Sequence, residues 1–233
     1  MPITVRKSSA RGHANHGWLD SNFSFSFAEY YDPQHMHFRS LRVINEDHIA
    51  PSRGFPMHPH DNMEIFSYVL KGALEHKDNM GNGSVLRPGE IQLMSAGTGV
   101  LHSEFNPQKN LETHMLQIWI LPGKKDLKPG YTEWKPDPAR AGDAKVLVIS
   151  PDGREGSATI HSDADIYRVR LSVAAQTTHN LRAGRGAWIQ VMRGSLSLNG
   201  TVLNTGDAAH LERAGELTMT ATDDAEALLF DLA

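Results

Sequence analysis

The 233-residue chain contains no cysteine. Disulfides and thiolate metal sites are therefore excluded, and a reducing compartment fits. No run of lysine and arginine marks a basic face, and the formal net charge is −4, so direct nucleic-acid binding is not expected. No apolar run approaches the length that spans a bilayer, and the N-terminal stretch MPITVRKSSARGHANHG has no apolar h-region. The expectation is a soluble, cytoplasmic protein without a membrane partner. A sustained 3.6-residue period is also missing, so helices should be few and short.

What the chain does have is 39% hydrophobic residues, enough for a packed core, and 13 histidines. Its apolar residues fall in short runs broken by Gly, Pro, Asn and Asp. NFSFSFAEYY (22–31), EIFSYVLKG (64–72), EIQLMSAG (90–97), THMLQIWILP (113–122) and KVLVIS (145–150) read as strands. IYRVRLSV (166–173), AWIQVMRGSLSLNG (187–200) and EALLFDL (226–232) continue the pattern. NFSFSF alternates strictly and would put Phe23, Phe25 and Phe27 on one face. Many short strands point to a barrel or sandwich.

A weak internal repeat is visible. YVLKGALEH (68–76) matches QVMRGSLSL (190–198), and SVLRPGEIQLM (84–94) matches TVLNTGDAAHL (201–211). This predicts an all-β chain of two tandem barrels of one type. The expected division is 1–125, a Pro-, Gly- and charge-rich linker at 126–143, and 144–233. Matching Gly194 to Gly72 sets Asn180 and Arg182 against His58 and His60; matching Gly206 to Gly89 sets Met219 and Ala221 against His102 and Glu104. A barrel can therefore be built without those four polar residues, which suggests that they serve function.

In GFPMHPHDNME (54–64), His58 and His60 stand two apart, so in a strand both side chains project from one face. GTGVLHSEFN (97–106) repeats this geometry with His102 and Glu104. Two such pairs facing one another would make a cage of three imidazoles and a carboxylate. Nitrogen and oxygen donors without sulfur suit Fe(II), Mn(II), Ni(II), Cu(II) or Zn(II). Four ligands on a six-coordinate ion leave two positions open. Glu64 shares the parity of His58 and His60, so from spacing alone Glu64 and Glu104 compete as the fourth ligand. Ser103 has the opposite parity to its neighbours, which argues against a serine nucleophile.

GFPMHPHDNMEIFSYVLKG resembles the first cupin motif, and RPGEIQLMSAGTGVLHSEFN resembles the second. Both depart from the usual spacing: Ser95 stands where Pro is common, and the turn before His102 is longer. With RGHANHGWLDSNFSFSFAEYYDP (11–33) and HMLQIWILP, the pattern over nearly the whole chain resembles the bacterial, quercetinase-like members of the pirin family. The resemblance implies a bicupin: two tandem cupin β-barrels, an N-terminal metal domain and a metal-free C-terminal one. It implies metal ligands His58, His60, His102 and Glu104, with Glu64 left as a near neighbour that supports them from behind. Iron(II) comes first among the expected metals, with manganese, nickel, copper, cobalt and zinc as alternatives. The implied reaction is O₂-dependent ring cleavage of a flavonol such as quercetin (quercetin 2,3-dioxygenase chemistry), with Glu104 as the group that takes the substrate's hydroxyl proton. A monomer is expected. A different reading is a metal- or redox-dependent regulatory protein that binds a transcription regulator or a metabolic enzyme; a third is a cupin acting on an unrelated metabolite. After HPH this chain has Asp61-Asn62, where many pirins carry a basic or small residue.

The remaining candidates have plainer readings. His13 and His16 suit hydrogen bonding or packing in an N-terminal turn, and His35 and His37 a surface or pocket rim. His114 could support the ligands from behind. His76, His161, His179 and His210 are expected to be structural or solvated. Met57, Met63, Met94 and Met115 are expected to fill the core, and Phe55 and Met57 to pack there or line an entrance.

Overall fold

The computed structural model describes residues 2–233. Among the described residues the regular structure is nearly all β, with three short 3₁₀ turns at Ser8–Ala10, Pro138–Arg140 and Arg154–Gly156. Among the described residues, no helix is long and apolar enough to cross a membrane. Two compact units form. One comprises Gly12–Pro136 and Ala158–Ser162; the other comprises the segment up to Arg11, Asp137–Ser157 and Asp163–Ala233.

Each unit contains a large and a small antiparallel sheet. In the first unit the large sheet runs Gly130–Trp134, Ile91–Ser95, Glu64–Lys71, Thr113–Ile120, Leu41–Ile49, Leu19–Phe23, Gly12–Asn15. Its small sheet runs Gly54–His60, Val100–Phe105, Leu74–Asp78, Gly83–Leu86. The second unit repeats the plan. Ala208–Leu211, Gly186–Arg193, Ala225–Leu232, Ala164–Leu171 and Lys145–Ser150 are neighbours in the large sheet; Gln176–Leu181, Gly215–Ala221, Ser195–Leu198 and Thr201–Asn204 form the small one. The predicted repeat corresponds to this duplication. Gly72 (φ +82°) and Gly194 (φ +69°) both turn the central strand into its hairpin. A Cβ at either would strike a backbone carbonyl, of Glu112 and Asp224 respectively, so both conformation and space select glycine.

The contact division differs from the expected boundaries in two places. Thr4–Arg6 pairs with Ala208–His210, so the N-terminal strand belongs to the second unit. Val5 packs on that unit's apolar cluster, and Asp207 accepts hydrogen bonds from Lys7 Nζ (2.9 Å) and Ser8 N (2.8 Å). An exposed sheet edge is covered in this way. Much of the expected linker is structured: Gly130–Trp134 pairs with Ile91–Ser95, and Trp134 is buried. The charged, Pro-rich flanks concealed this short edge strand.

Two finer expectations also shift. The strand near NFSFSF is Leu19–Phe23; beyond it the chain turns through Ala28 (φ +49°), and Phe27 bridges to Tyr30. In the second unit Asn180 and Arg182 are exposed, while His179 and Leu181 are buried. The Gly194 match is therefore one residue out of phase, and a one-residue slip exchanges the faces of a strand. Met219 and Ala221 are buried in the apolar core, as the match at Gly206 requires.

Candidate metal centre and cavity

Strands Gly54–His60 and Val100–Phe105 pair antiparallel, with His102 directly opposite His58 and a register shift between His102 and Glu104. The two i, i+2 pairs therefore meet. Ring centroids lie 4.8 Å apart for His58 and His60, 4.4 Å for His58 and His102, and 4.9 Å for His60 and His102. Donor atoms of these three histidines all fall within 4.8 Å of one another, and so do those of His76, His102 and Glu104.

Hydrogen bonds set which ring nitrogens face the centre. His58 Nδ1 lies 2.8 Å from the Pro56 carbonyl, which can only accept, so Nδ1 carries the proton and Nε2 keeps its lone pair. His76 is wholly buried and occupied on both sides: Gln92 Nε2 approaches its Nδ1 at 2.8 Å, and its Nε2 faces Asp78 Oδ2 at 3.4 Å. His102 Nδ1 in turn lies 3.4 Å from His76 Nδ1. With Gln92 donating to His76 Nδ1, His76 Nε2 carries the proton toward Asp78, and a proton on His102 Nδ1 shares the same His76 lone pair over its longer 3.4 Å contact. His102 Nε2 is then left as a lone-pair donor. The Nε2 atoms of both His60 and His102 are buried with no hydrogen-bond partner. Two orphaned imidazole nitrogens beside a third and a carboxylate fit a borderline divalent transition ion. Burial, and then the neighbouring imidazoles, lowers His60 to about 4 and His102 to about 3, so both rings are neutral near pH 7.

Glu104 is buried and held from two sides. Ser67 Oγ lies 2.8 Å from Oε1, and Gln117 Nε2 donates to Oε2 at 2.8 Å. Ser67 Oγ also lies 2.7 Å from Gln117 Oε1. Its single hydrogen serves one of these two acceptors at a time.

Glu64 takes a different course. The strand ends at His60, and the chain reverses through Asn62 (φ +47°), which breaks the parity on which the spacing depended. Glu64 Oε2 accepts from Ser95 Oγ at 2.7 Å and from His161 N at 3.2 Å, so it does not join the cluster. Burial raises its pKa above the usual carboxylate value. His114 does not stand behind the ligands either. It lies on the other face of its sheet, bonded through Nε2 to Glu46 (2.8 Å). Met57 is exposed, whereas Met94 and Met115 fill the core. His13 bonds Asp20 and His35 bonds Asp32, both at 2.7 Å.

A cavity of about 550 Å³ opens onto His58, His60 and Glu104, a size suited to a small organic ligand. Its walls are largely aromatic. Trp18 meets Phe55 edge to face at 5.3 Å, and Phe27 meets Trp119 in the same way at 5.4 Å. Polar groups punctuate this lining away from the cluster, Asn45, Asp47 and the Trp119 indole among them. Asn45 Oδ1 and Trp119 Nε1 are buried without partners, and buried Asp47 accepts from Ser21 Oγ at 2.5 Å.

Sequence reasoning missed Asn45, Asp47, Ser67, Gln92 and Gln117, and read His76 only as structural or solvated. Asn45, Gln117, Ser67 and Gln92 form one continuous row across four paired strands, each directly opposite the next. A partial signal was present: Ser67, Gln92 and Gln117 are polar residues within the largely apolar strands EIFSYVLK, IQLMS and THMLQIWI.

The duplicated pairs of sheets, with an imidazole–carboxylate cluster in the first of them, define a two-barrel cupin protein. A family model described as Pirin matches residues 4–120, and one described as the Quercetinase C-terminal cupin domain matches residues 147–232. Over 230 residues the chain is 47% identical to the Quercetin 2,3-dioxygenase of Escherichia coli (strain K12), covering 99% of this chain and 98% of that one. The crystal structure of YhhW from Escherichia coli superposes with a TM-score of 0.96 at 46% identity, covering 100% of this chain and 98% of that one. The bacterial pirin YhhW from Escherichia coli in complex with nickel(II) gives 0.94 at 45%, with 99% of each chain covered. The chain belongs to the pirin family, and within it resembles members named quercetin 2,3-dioxygenase.

Proposed function

We propose that the protein cleaves the central ring of a flavonol such as quercetin with O₂, using one divalent transition ion held by His58, His60, His102 and Glu104. The observation that carries this reading is the pair of buried, unpartnered Nε2 atoms of His60 and His102, beside Glu104 and at the end of an aromatic cavity. The nickel(II) complex of the Escherichia coli pirin supports a divalent ion, and iron(II) is the metal we assign in the cell.

The bound ion supplies Lewis acidity at the substrate's 3-hydroxyl and an electron path to O₂. The side chains supply the rest. Trp18, Phe27, Phe55 and Trp119 present flat apolar faces to a planar aromatic molecule and exclude water. Asn45 and Asp47 offer oxygen acceptors to phenolic hydroxyls on an otherwise apolar wall. The Glu104 carboxylate takes the 3-hydroxyl proton. Ser67 and Gln117 fix its orientation, and Ser67 can turn its hydrogen from Glu104 to Gln117 as the charge on the carboxylate changes. O₂ and the flavonol together become a depside and carbon monoxide.

The test is an aerobic assay of the chelated protein after loading with iron(II), nickel(II) or manganese(II), following quercetin absorbance and released carbon monoxide. Turnover that depends on the metal is expected. The reading fails if loaded protein neither consumes quercetin nor releases carbon monoxide while a known quercetinase alongside does both.

A further inference from the structure

The spacing rule that locates the interior centre applies a second time, on the opposite face of the large sheet. EDH (46–48) and ETH (112–114) each place a carboxylate and an imidazole two residues apart. Strands Leu41–Ile49 and Thr113–Ile120 pair antiparallel with His48 directly opposite His114. The residues between, Asp47 and Thr113, point the other way: Asp47 lines the cavity, and Thr113 Oγ1 bonds the Ala73 carbonyl. The sheet itself therefore separates this second group from the interior centre.

The two imidazoles stack at 4.0 Å with planes only 14° apart. Glu46 Oε1 lies 2.8 Å from His114 Nε2, and Glu112 Oε1 lies 3.5 Å from His48 Nδ1. Donor atoms of Glu46, His48 and His114 all fall within 4.8 Å of one another. Ligands at about 2.1 Å from one ion stand roughly 3–4 Å apart, so the donor atoms are near enough, and rotation of the stacked rings is what brings both lone pairs onto one ion. The side chains of His48 and Glu112 are 35% and 43% exposed, so an ion can enter from solvent. Lys71 Nζ lies 3.5 Å from Glu112, carried on an exposed, flexible stem that an ion can displace.

We propose that Glu46, His48, Glu112 and His114 form a second, solvent-facing site for a divalent transition ion. Two imidazoles and two carboxylates without sulfur select zinc(II), nickel(II) or copper(II) over calcium or magnesium. None of these four residues lines the aromatic cavity; the role assigned to the site is to bind an ion and clamp two strands.

Zinc(II) titration of the full chelated chain, with metal content by mass spectrometry, tests this. Unaltered protein is expected to take up two equivalents. His48→Ala/His114→Ala is expected to take up one, retained by the interior centre. His58→Ala/His102→Ala is also expected to take up one, at the outer face. Imidazole ¹H–¹⁵N spectra of the unaltered protein give a readout that needs no variant: the signals of His48 and His114 should shift as the second equivalent is added. The proposal is overturned if the outer double variant binds as much zinc as the unaltered protein, or if the His48 and His114 signals do not move at saturation. Failure of flavonol turnover would leave both measurements unaffected, so the two readings stand or fall separately.

Discussion

Asp47 offers the most quantitative handle on the cavity. It is buried, with Ser21 as its hydrogen-bond donor. Burial raises its pKa from an ordinary 3.8 to about 7, opposed chiefly by the Ser21 hydrogen bond; the negative charges of Glu104 and Glu46 add lesser upward pushes, and His114 a lesser downward one. The folded state therefore holds this proton more tightly than the unfolded chain does. Its contribution to stability is fully present below pH 3.8 and is lost progressively as the pH rises to about 7. With those two values, the loss between pH 5 and pH 8 amounts to about 2–3 kcal/mol, at roughly 1.4 kcal/mol per pH unit. Asp47→Asn keeps the acceptor for Ser21 and cannot ionise, so it should escape this loss and be the more stable protein at pH 8. Urea unfolding of both proteins at pH 5 and pH 8, followed by tryptophan emission, measures the difference. Three of the four tryptophans, Trp18, Trp119 and Trp134, report on the first unit. Chelated protein is required, because a cation nearby would pull the carboxyl down. If the two stabilities keep a constant separation from pH 5 to pH 8, Asp47 does not hold its proton in the fold and the reasoning is refuted.

Other changes separate the roles assigned above. Gln117→Leu removes a hydrogen bond to Glu104 and should weaken metal binding by about 10–100-fold; Glu104→Gln should weaken it more, and Glu64→Gln should leave it unchanged. Equilibrium dialysis ranks the three, and a larger loss for Glu64→Gln would reverse the ligand assignment. Gly54→Ala drives a Cβ into the Glu104 carbonyl and Phe105, which parts the two strands that carry the proposed ligands. A cost of about 1–3 kcal/mol and a fall in bound metal are expected; a thermal melt equal to that of the unaltered protein would contradict this close approach. Asp207→Ala leaves Lys7, Ser8 N and Asn204 N without their acceptor and should cost the second unit about 1–3 kcal/mol, with metal content unchanged. Loss of metal in that variant would show that the units do not act separately.

The sequence by itself determined a good deal. Strand periodicity and the absence of a helical period gave an all-β chain, and the spaced glycine turns exposed the duplication. Side chains alternate along a strand, so HPH and HSE each had to offer a convergent pair, and these pairs do meet. Residues 4–6, 130–134 and 180–182 were misjudged because a short edge strand and a one-residue phase are set by pairing partners distant in sequence. Glu64 looked like a ligand as long as one unbroken strand was assumed; the reversal at Asn62 removed it. What only the tertiary structure decided was the surroundings of the donors. His76 looked unremarkable in sequence until register set it between His102 and Asp78. Asn45, Gln117, Ser67 and Gln92 come from four strands scattered over residues 45–117, and only cross-strand pairing aligns them. His48 and His114 gain significance in the same way. Alternation is a local property of the chain, readable from neighbours, whereas register is a relation between strands that only the folded sheet establishes.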